Sequence, residues 1–265
     1  MPGNSLTGFA YTLGLGVSSI EIDVWVTSDG QIVVVHDNKL PGQDGTQVTA
    51  HELPLAQVPV LLSGHPDVAE HRAPTLAETL ALFRFAGATD VVLDVEIKPD
   101  VRLGREYSQL TATETARALA PHLAEQALRV RSFDRYVLEV VGQEQPQLER
   151  FGLIGSMGND PAAIEQGALP ARAADAVAVA AELGLAGLAP HGDLVDDDWV
   201  RTAHEAGLRV LTWGGSEAAE RVDELLAAGV DGLCVDDPAA LRQLLAERGY
   251  AVPEPRKITL PGIDG

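Results

Sequence analysis

The chain has 265 residues, of which 46% are hydrophobic and 22% charged, and its net charge is −20. This acidic balance argues against nucleic-acid binding and against stable anchoring on an anionic membrane. A single cysteine, Cys234, excludes an internal disulfide framework. No apolar run reaches the roughly 18 residues that a membrane span needs. The first residues lack the features of a signal peptide, so we expect a cytoplasmic protein, or a secreted one if a signal peptide lies upstream of Met1.

The first predicted elements are a helix, a strand and a hairpin. Apolar residues at helical spacing predict a helix over 5–15, with Asn4 as its N-cap and Gly16 as its stop. A strand follows over 19–27. Asp29-Gly30 is typical of a hairpin turn, and the stretch after it, "QIVVVHD", is expected to return antiparallel.

From residue 91 onward, short strands alternate with amphipathic helices. The predicted strands are 91–99, 129–134, 151–156, 184–190, 209–215 and 231–237, and the helices lie near 109–123, 135–143, 172–183, 196–206, 217–228 and 238–247. Repeated βα units predict an α/β fold with a parallel sheet, either a closed barrel or a doubly wound sheet. Including the strand at 19–27, seven strands precede helices, so an eightfold barrel would lack its first strand.

Two segments do not follow this alternation. Residues 38–73 are rich in Pro, Gly and His and show no periodicity. We interpret them as an insertion over the C-terminal mouth of the barrel, where long loops are usually functional. Residues 251–265 are interpreted as a tail, which leaves 1–250 as a single domain.

Charged residues interrupt two of the predicted strands on one face. Glu21 and Asp23 share a face of the first strand, and Asp94, Glu96 and Lys98 share a face of "LDVEIKP". Two like charges about 4 Å apart repel by roughly 4 kcal/mol at an effective dielectric constant near 20. Converging carboxylates therefore need a cation, a lysine or a proton, and an all-oxygen set suits Mg²⁺ or Ca²⁺. The alternatives are a half-exposed edge strand with solvated charges, and a strand-end salt bridge between Glu96 and Lys98.

His36 ends the hairpin beside Asp37. A neutral imidazole at this place can act as a general acid or base while the neighbouring carboxylate orients it. The alternative is a loop histidine with a purely structural role. Its position after a strand that carries carboxylates favours the catalytic interpretation.

Several stretches, taken in chain order, resemble the glycerophosphodiester phosphodiesterase family. They are the block from Pro2 to Asp37, "PTLAET" (74–79), "VEIKP", "SFD", "TWGG" and "AGVDGLCVDDP" (228–238). The family folds as a TIM barrel with a small insertion after its second strand. The resemblance therefore implies a TIM-type barrel that lacks the first strand and carries a β-hairpin and a small insertion after the second.

The resemblance also implies an activity, which is the metal-dependent hydrolysis of glycerophosphodiesters to glycerol 3-phosphate and an alcohol. It implies that Lys98 holds the phosphate, that His36 is one of two acid/base histidines, and that Trp213 lines the pocket for the alcohol or glycerol part. The implied ligands of a divalent cation, Mg²⁺ or Ca²⁺, are Glu21, Asp23 and Glu96.

Three departures from the family pattern stand against full activity. The family's His-Arg-Gly motif is absent, its Pro-Glu-Asn-Thr stretch is here Pro2-Gly3-Asn4-Ser5, and its Trp-Thr-Val-Asn stretch is here Trp213-Gly214-Gly215-Ser216. The missing motif and the missing strand agree with loss of an N-terminal segment, which would impair a chain of this family.

The main alternative is a non-catalytic barrel that keeps a metal or phosphate site. A relative that acts on lipids is a third possibility, which no membrane-docking stretch supports. None of the other histidines that we considered as a replacement is selected: His51, His65, His71 and His191.

Overall fold

The computed structural model describes residues 3–41, 46–58, 73–99, 103–214 and 219–258. His65 and His71 lie outside the described residues, as do Pro2, Gly215 and Ser216, and as do parts of the predicted insertion and tail. The chain forms two compact units. The first comprises Met1–Lys98, Glu114–Leu128 and Val252–Gly265, and the second comprises Pro99–Thr113 and Arg129–Ala251.

In the first unit, a central strand has a neighbour on each side. The elements are α1 (Leu6–Gly14), β1 (Ser19–Val26), β2 (Ile32–Val34), β3 (Lys39–Pro41), β4 (Gln47–Thr49), α2 (Leu76–Phe85) and β5 (Val92–Ile97). Strand β1 pairs antiparallel with β2 and parallel with β5. The predicted hairpin is confirmed, and Gly30 in its turn has a φ of 74°. Because β1 is flanked on both sides, the edge-strand alternative is wrong.

The start of α1 differs from the prediction. Ser5, not Asn4, is the N-cap, because the Ser5 hydroxyl accepts a hydrogen bond from the Gly8 amide at 3.1 Å. Asn4 adopts a left-handed conformation with φ of 48°. The predicted stop is confirmed, since Gly16 has a φ of 77° just after the helix.

Helix α2 was not predicted, although its first residues carry a recognisable signal. Thr75 accepts a hydrogen bond from the Glu78 amide at 3.2 Å, and the Glu78 carboxylate accepts one from the Thr75 amide at 2.9 Å. The two residues form a capping box, a pattern readable in "PTLAET".

The described ends of the insertion contain short regular elements. Strands β3 and β4 pair antiparallel, and single 3₁₀ turns follow at Ala50–Glu52 and Leu55–Gln57. In the C-terminal stretch, Arg256 binds the Asp90 carboxylate through two nitrogens, at 2.7 and 2.5 Å, and its amide donates to the Gly14 carbonyl. This part of the predicted tail is therefore packed against the end of α1.

The second unit repeats the strand-helix alternation that the sequence predicts. Its elements are β6 (Leu128–Ser132), α4 (Arg135–Glu144), β7 (Glu149–Ile154), α5 (Pro161–Glu165), α6 (Ala173–Leu183), β8 (Gly187–Pro190), α7 (Asp197–Glu205), β9 (Arg209–Trp213), α8 (Ala219–Ala228), β10 (Gly232–Cys234) and α9 (Pro238–Glu247). The strands from β6 to β10 pair in parallel in chain order. Ile154, Leu188 and Val210, one from each of three neighbouring strands, are buried against the helices.

Two helical segments depart from the prediction. Helix α3 (Gly104–Leu119) starts five residues before the predicted 109 and contributes residues to both units. The short helix α5 was not predicted; Asp160 caps it by accepting a hydrogen bond from the Ala162 amide at 2.9 Å. None of the helices in the described part of the chain is both long and apolar enough to span a membrane.

Candidate metal centre

The pairing of β1 with β5 brings the predicted carboxylates together. Glu21 lies opposite Asp94, and Asp23 lies opposite Glu96. Residues in register on neighbouring parallel strands point to the same face, so the four side chains form two adjacent rows. Asp23 and Glu96 lie nearer to the carboxyl ends of their strands, the end at which α/β barrels place their active sites.

Three of these carboxylates form a compact cluster. Each of them offers an oxygen, and these oxygens all lie within 4.8 Å of one another. Asp23 and Glu96 are only 4% and 6% exposed, so water screens their charges weakly. Among the described residues, one group of carboxylates has its oxygens close enough together to hold a metal ion: Glu21, Asp23 and Glu96.

Lys98 places a positive charge against the cluster. Its Nζ lies 2.9 Å from Oδ1 of Asp23 and 2.7 Å from Oε1 of Glu96. Burial favours the neutral amine, but the charges of Glu96 and Asp23 outweigh that effect and raise the pKa of Lys98. The salt bridge that the sequence left open as an alternative is thus present, and Asp23 shares it.

Glu96 has an unfavourable environment for its negative charge. Burial raises the pKa of the Glu96 carboxyl, and the charge of Asp23 acts in the same direction, while Lys98 and His36 oppose the shift. If all groups are ionised, three carboxylates and one ammonium leave two net negative charges. A hard divalent cation matches both this charge and the all-oxygen donor set, so the residues present fit such an ion.

Asn4 contributes to the cluster in a way that the sequence analysis missed. Its Nδ2 donates a hydrogen bond to Oδ2 of Asp23 at 2.7 Å, and its Oδ1 accepts one from the Asp23 amide at 3.2 Å. The signal for this contact is the asparagine in the family's Pro-Glu-Asn-Thr stretch, which the helical pattern alone presents as a cap of α1. Gly3, at the place of the family's glutamate, has open space around the position of a Cβ.

His36 follows the hairpin and is held there through its backbone. The indole nitrogen of Trp25 donates to the His36 carbonyl at 3.3 Å, and the Val35 amide donates to the Asp23 carbonyl at 3.0 Å. The imidazole is exposed, with its Nδ1 2.9 Å from Oδ1 of Asp37. In the neutral ring this contact favours the proton on Nδ1, which leaves Nε2 as the acceptor of a substrate proton.

Another described histidine of the first unit lies in the insertion. Nδ1 of His51 lies 3.2 Å from Nδ2 of Asn38, and Oδ1 of Asn38 accepts a hydrogen bond from the Ala50 amide. Asn38 is buried. Asn38 and His51 thus help to hold the 3₁₀ turn after β4.

Trp213 and His191 belong to the second unit, where they lie at the carboxyl ends of β9 and β8. The Trp213 ring makes edge-to-face contacts with Phe133 at 5.3 Å and with His191 at 4.8 Å, and its nitrogen donates to the Ala189 carbonyl at 2.9 Å. His191 Nδ1 accepts a hydrogen bond from the Asp193 amide. A side chain at Gly214 would collide with the His191 ring, so the glycine allows His191 to keep its edge-to-face contact with Trp213.

Comparison with known proteins supports one family. The model of the glycerophosphoryl diester phosphodiesterase family matches residues 1–240. A glycerophosphodiester phosphodiesterase from Caldanaerobacter subterraneus subsp. tengcongensis is 25% identical over 252 residues, which cover 94% of each chain.

Solved structures support the same fold. A Silicibacter pomeroyi crystal structure, attributed to the glycerophosphoryl diester phosphodiesterases, has a TM-score of 0.78 at 24% identity and covers 95% of this chain and 91% of its own. An Oleispira antarctica phosphodiesterase, solved in complex with the product sn-glycerol-3-phosphate, has a TM-score of 0.71 at 22% identity and covers 92% of both chains. The likeness confirms the predicted α/β fold of the TIM-barrel type. With a family model that spans residues 1–240, the chain belongs to the glycerophosphoryl diester phosphodiesterase family, a family of phosphoric diester hydrolases.

Proposed function

We propose that this chain hydrolyses glycerophosphodiesters to glycerol 3-phosphate and an alcohol, with the help of a divalent cation. The observation that carries the proposal is the cluster of Glu21, Asp23 and Glu96 beside Lys98, in a chain of this family. The relative from Oleispira antarctica, which was solved with sn-glycerol-3-phosphate, supports the proposed product.

The cluster supports the cation part of the proposal. Glu21, Asp23 and Glu96 would hold Mg²⁺ or Ca²⁺, both of which prefer oxygen ligands. When bound, such an ion supplies Lewis-acid stabilisation of charge on the phosphoryl oxygens. Lys98, fixed between two carboxylates, would donate hydrogen bonds from its ammonium to the phosphate. We therefore expect the divalent cation and the Lys98 ammonium to hold the phosphate in an otherwise acidic chain.

Proton transfer is assigned to His36. Nε2 of the neutral ring would accept a proton from the attacking nucleophile, and the contact between Nδ1 and Asp37 would stabilise the imidazolium that results. Trp213 is proposed as a contact for the alcohol or glycerol part on the strength of the family resemblance. Its ring is held from two sides, by Phe133 and His191, which suits a rigid binding surface.

The family match also bears on the extent of the enzyme. Because the family model spans residues 1–240, we propose a single catalytic domain over 1–250, with the insertion at 38–73 inside it and 251–265 as a tail. The substrate class is a small molecule. The net charge of −20 supports neither nucleic acid nor an anionic membrane as a partner.

A second candidate is a cation- and phosphate-binding protein without turnover. The glycine at position 3, where the family has a glutamate, favours it, because a carboxylate of the family pattern is missing there.

One experiment tests the proposal and separates the two candidates. Purified chain is incubated with glycerophosphocholine, glycerophosphoethanolamine or glycerophosphoinositol, with Ca²⁺, Mg²⁺ or a chelator, and glycerol 3-phosphate is measured. Cation-dependent release that Glu96→Gln abolishes supports hydrolysis. Binding of Ca²⁺ and glycerol 3-phosphate without release supports the second candidate, and release that is equal with the chelator contradicts the metal assignment.

A further inference from the structure

Asn4 contacts Asp23 at two places, and each contact uses a different atom of the amide. Its Nδ2 donates to the carboxylate oxygen Oδ2 at 2.7 Å, and its Oδ1 accepts from the Asp23 backbone amide at 3.2 Å. Because one planar group binds both the side chain and the main chain of the same residue, it restricts rotation of the carboxylate relative to β1.

The two oxygens of Asp23 have different partners. Oδ2 accepts the hydrogen bond from Asn4 at 2.7 Å, and Oδ1 lies 2.9 Å from Nζ of Lys98. Asp23 is only 4% exposed, so water does not replace a lost partner easily. Asn4 thus fixes which oxygen of Asp23 faces Lys98.

The backbone of Asn4 is adapted to this contact. Asn4 has a φ of 48° and is the one non-glycine residue with a positive φ among the residues that the structure describes. Asparagine tolerates the left-handed region better than most residues, but the conformation still has a cost. The cap of α1 is supplied by Ser5 instead, so capping does not explain an asparagine in this conformation.

We propose that Asn4 is a positioning residue for the divalent-cation site and acts through Asp23. This inference rests on the proposed function, in which Asp23 is a ligand. The partners that orient metal ligands typically change metal affinity by about 10–100-fold when they are removed. We therefore expect Asn4 to matter for cation binding even in the absence of a substrate.

The test is a calorimetric titration of the purified chain with Ca²⁺ and with Mg²⁺, without substrate. Asn4→Gly keeps the left-handed backbone accessible and removes only the side-chain contacts. Affinity is expected to fall by about 10–100-fold. The control is Ser5→Ala, which removes the cap of α1 but leaves the Asn4 contacts in place, and whose affinity should equal that of the wild type. If Asn4→Gly does not fold, Asn4→Ser replaces it, because a serine is too short to bridge both groups of Asp23.

A double-mutant cycle with Asp23→Asn shows whether Asn4 acts through Asp23. If it does, Asn4→Gly costs little further affinity in the Asp23→Asn background, so the two effects are not additive. Additive effects, an Asn4 variant with wild-type affinity, or an equal loss in Ser5→Ala would each overturn the inference while leaving the proposed function intact. A wild-type chain that binds neither ion would overturn both.

Discussion

Replacement of Lys98 by glutamine has a consequence for stability that can be worked out from the structure. The substitution removes a half-buried ammonium 2.9 Å from the buried Asp23 and 2.7 Å from the buried Glu96, and leaves two carboxylates facing each other. Breaking a buried ion pair by removing one partner typically costs about 3–5 kcal/mol. Glu96 can take up a proton to reduce the repulsion, so we expect the lower end, a loss of about 3 kcal/mol in the free energy of unfolding at neutral pH.

A divalent cation should reverse part of this loss, because it supplies the missing positive charge. At the same free Ca²⁺ concentration, the loss shrinks by the amount by which Lys98→Gln binds the ion more tightly than the wild type does. A tenfold tighter Kd, which the extra net negative charge of the cluster would favour, corresponds to about 1.4 kcal/mol. Urea unfolding of wild type and Lys98→Gln, each with a chelator and with saturating Ca²⁺, measures both effects. Arg201→Gln, which removes an exposed ion pair with Asp198, is the control and should lose far less. A loss for Lys98→Gln that is small with the chelator, or the same with and without Ca²⁺, would refute the reasoning.

Three further outcomes follow from individual contacts. His36→Ala should lower hydrolysis of glycerophosphocholine by roughly 10²–10⁴-fold while Ca²⁺ affinity in calorimetry stays the same, and a variant with full activity would remove His36 from its role. Thr75→Ala, which breaks the capping box of α2, should cost about 1 kcal/mol in urea unfolding; no change would mean that α2 does not depend on its cap. Burial raises the pKa of Asp134, so the proton that it binds stabilises the native state below the ordinary aspartate pKa of about 3.9, and this stabilisation is lost as the pH rises through the raised value. The stability of the wild type relative to Asp134→Asn should therefore fall as the pH rises above about 4, and a rise would contradict the sign.

The part of the site that lies on strands could be predicted from the sequence. Side chains alternate along a strand with period two, so Glu21 and Asp23 had to share a face, as did Glu96 and Lys98. Parallel strands in neighbouring βα units bring their carboxyl ends together, which predicted that the two pairs would meet. The register that sets Asp23 opposite Glu96 depends on the packing of the whole sheet, so it could not be predicted from the sequence of either strand alone.

The part of the site that lies on irregular backbone could not be predicted in the same way. Asn4 looked like a helix cap, because asparagine before an apolar helical pattern usually is one. Ser5 is an equally good cap, and the left-handed backbone that turns Asn4 toward Asp23 leaves no periodic signal. Trp213 was found only through the family resemblance, since an aromatic residue at a strand end has no spacing that marks a function.

The boundaries of the helices show a similar limit. Helix α9 has the ends that the sequence predicts, with Pro238 in its first turn, and the structure adds Asp237 as its cap. Helix α2 was missed because it follows a long aperiodic stretch, although the capping box at Thr75 could have revealed its start. Local chemistry with a strict geometry is thus readable from sequence, and contacts made through irregular backbone, such as that of Asn4 with Asp23, are not.

The most direct test of the proposed cation site is a crystal of the wild-type chain soaked with Mn²⁺, an anomalous scatterer that takes oxygen ligands as Mg²⁺ and Ca²⁺ do. We predict an anomalous peak about 2.0–2.6 Å from carboxylate oxygens of Glu21, Asp23 and Glu96, and no such peak in a Glu96→Gln crystal. A peak bound by other residues, or a well-ordered wild-type cluster that takes up no Mn²⁺, would contradict the account.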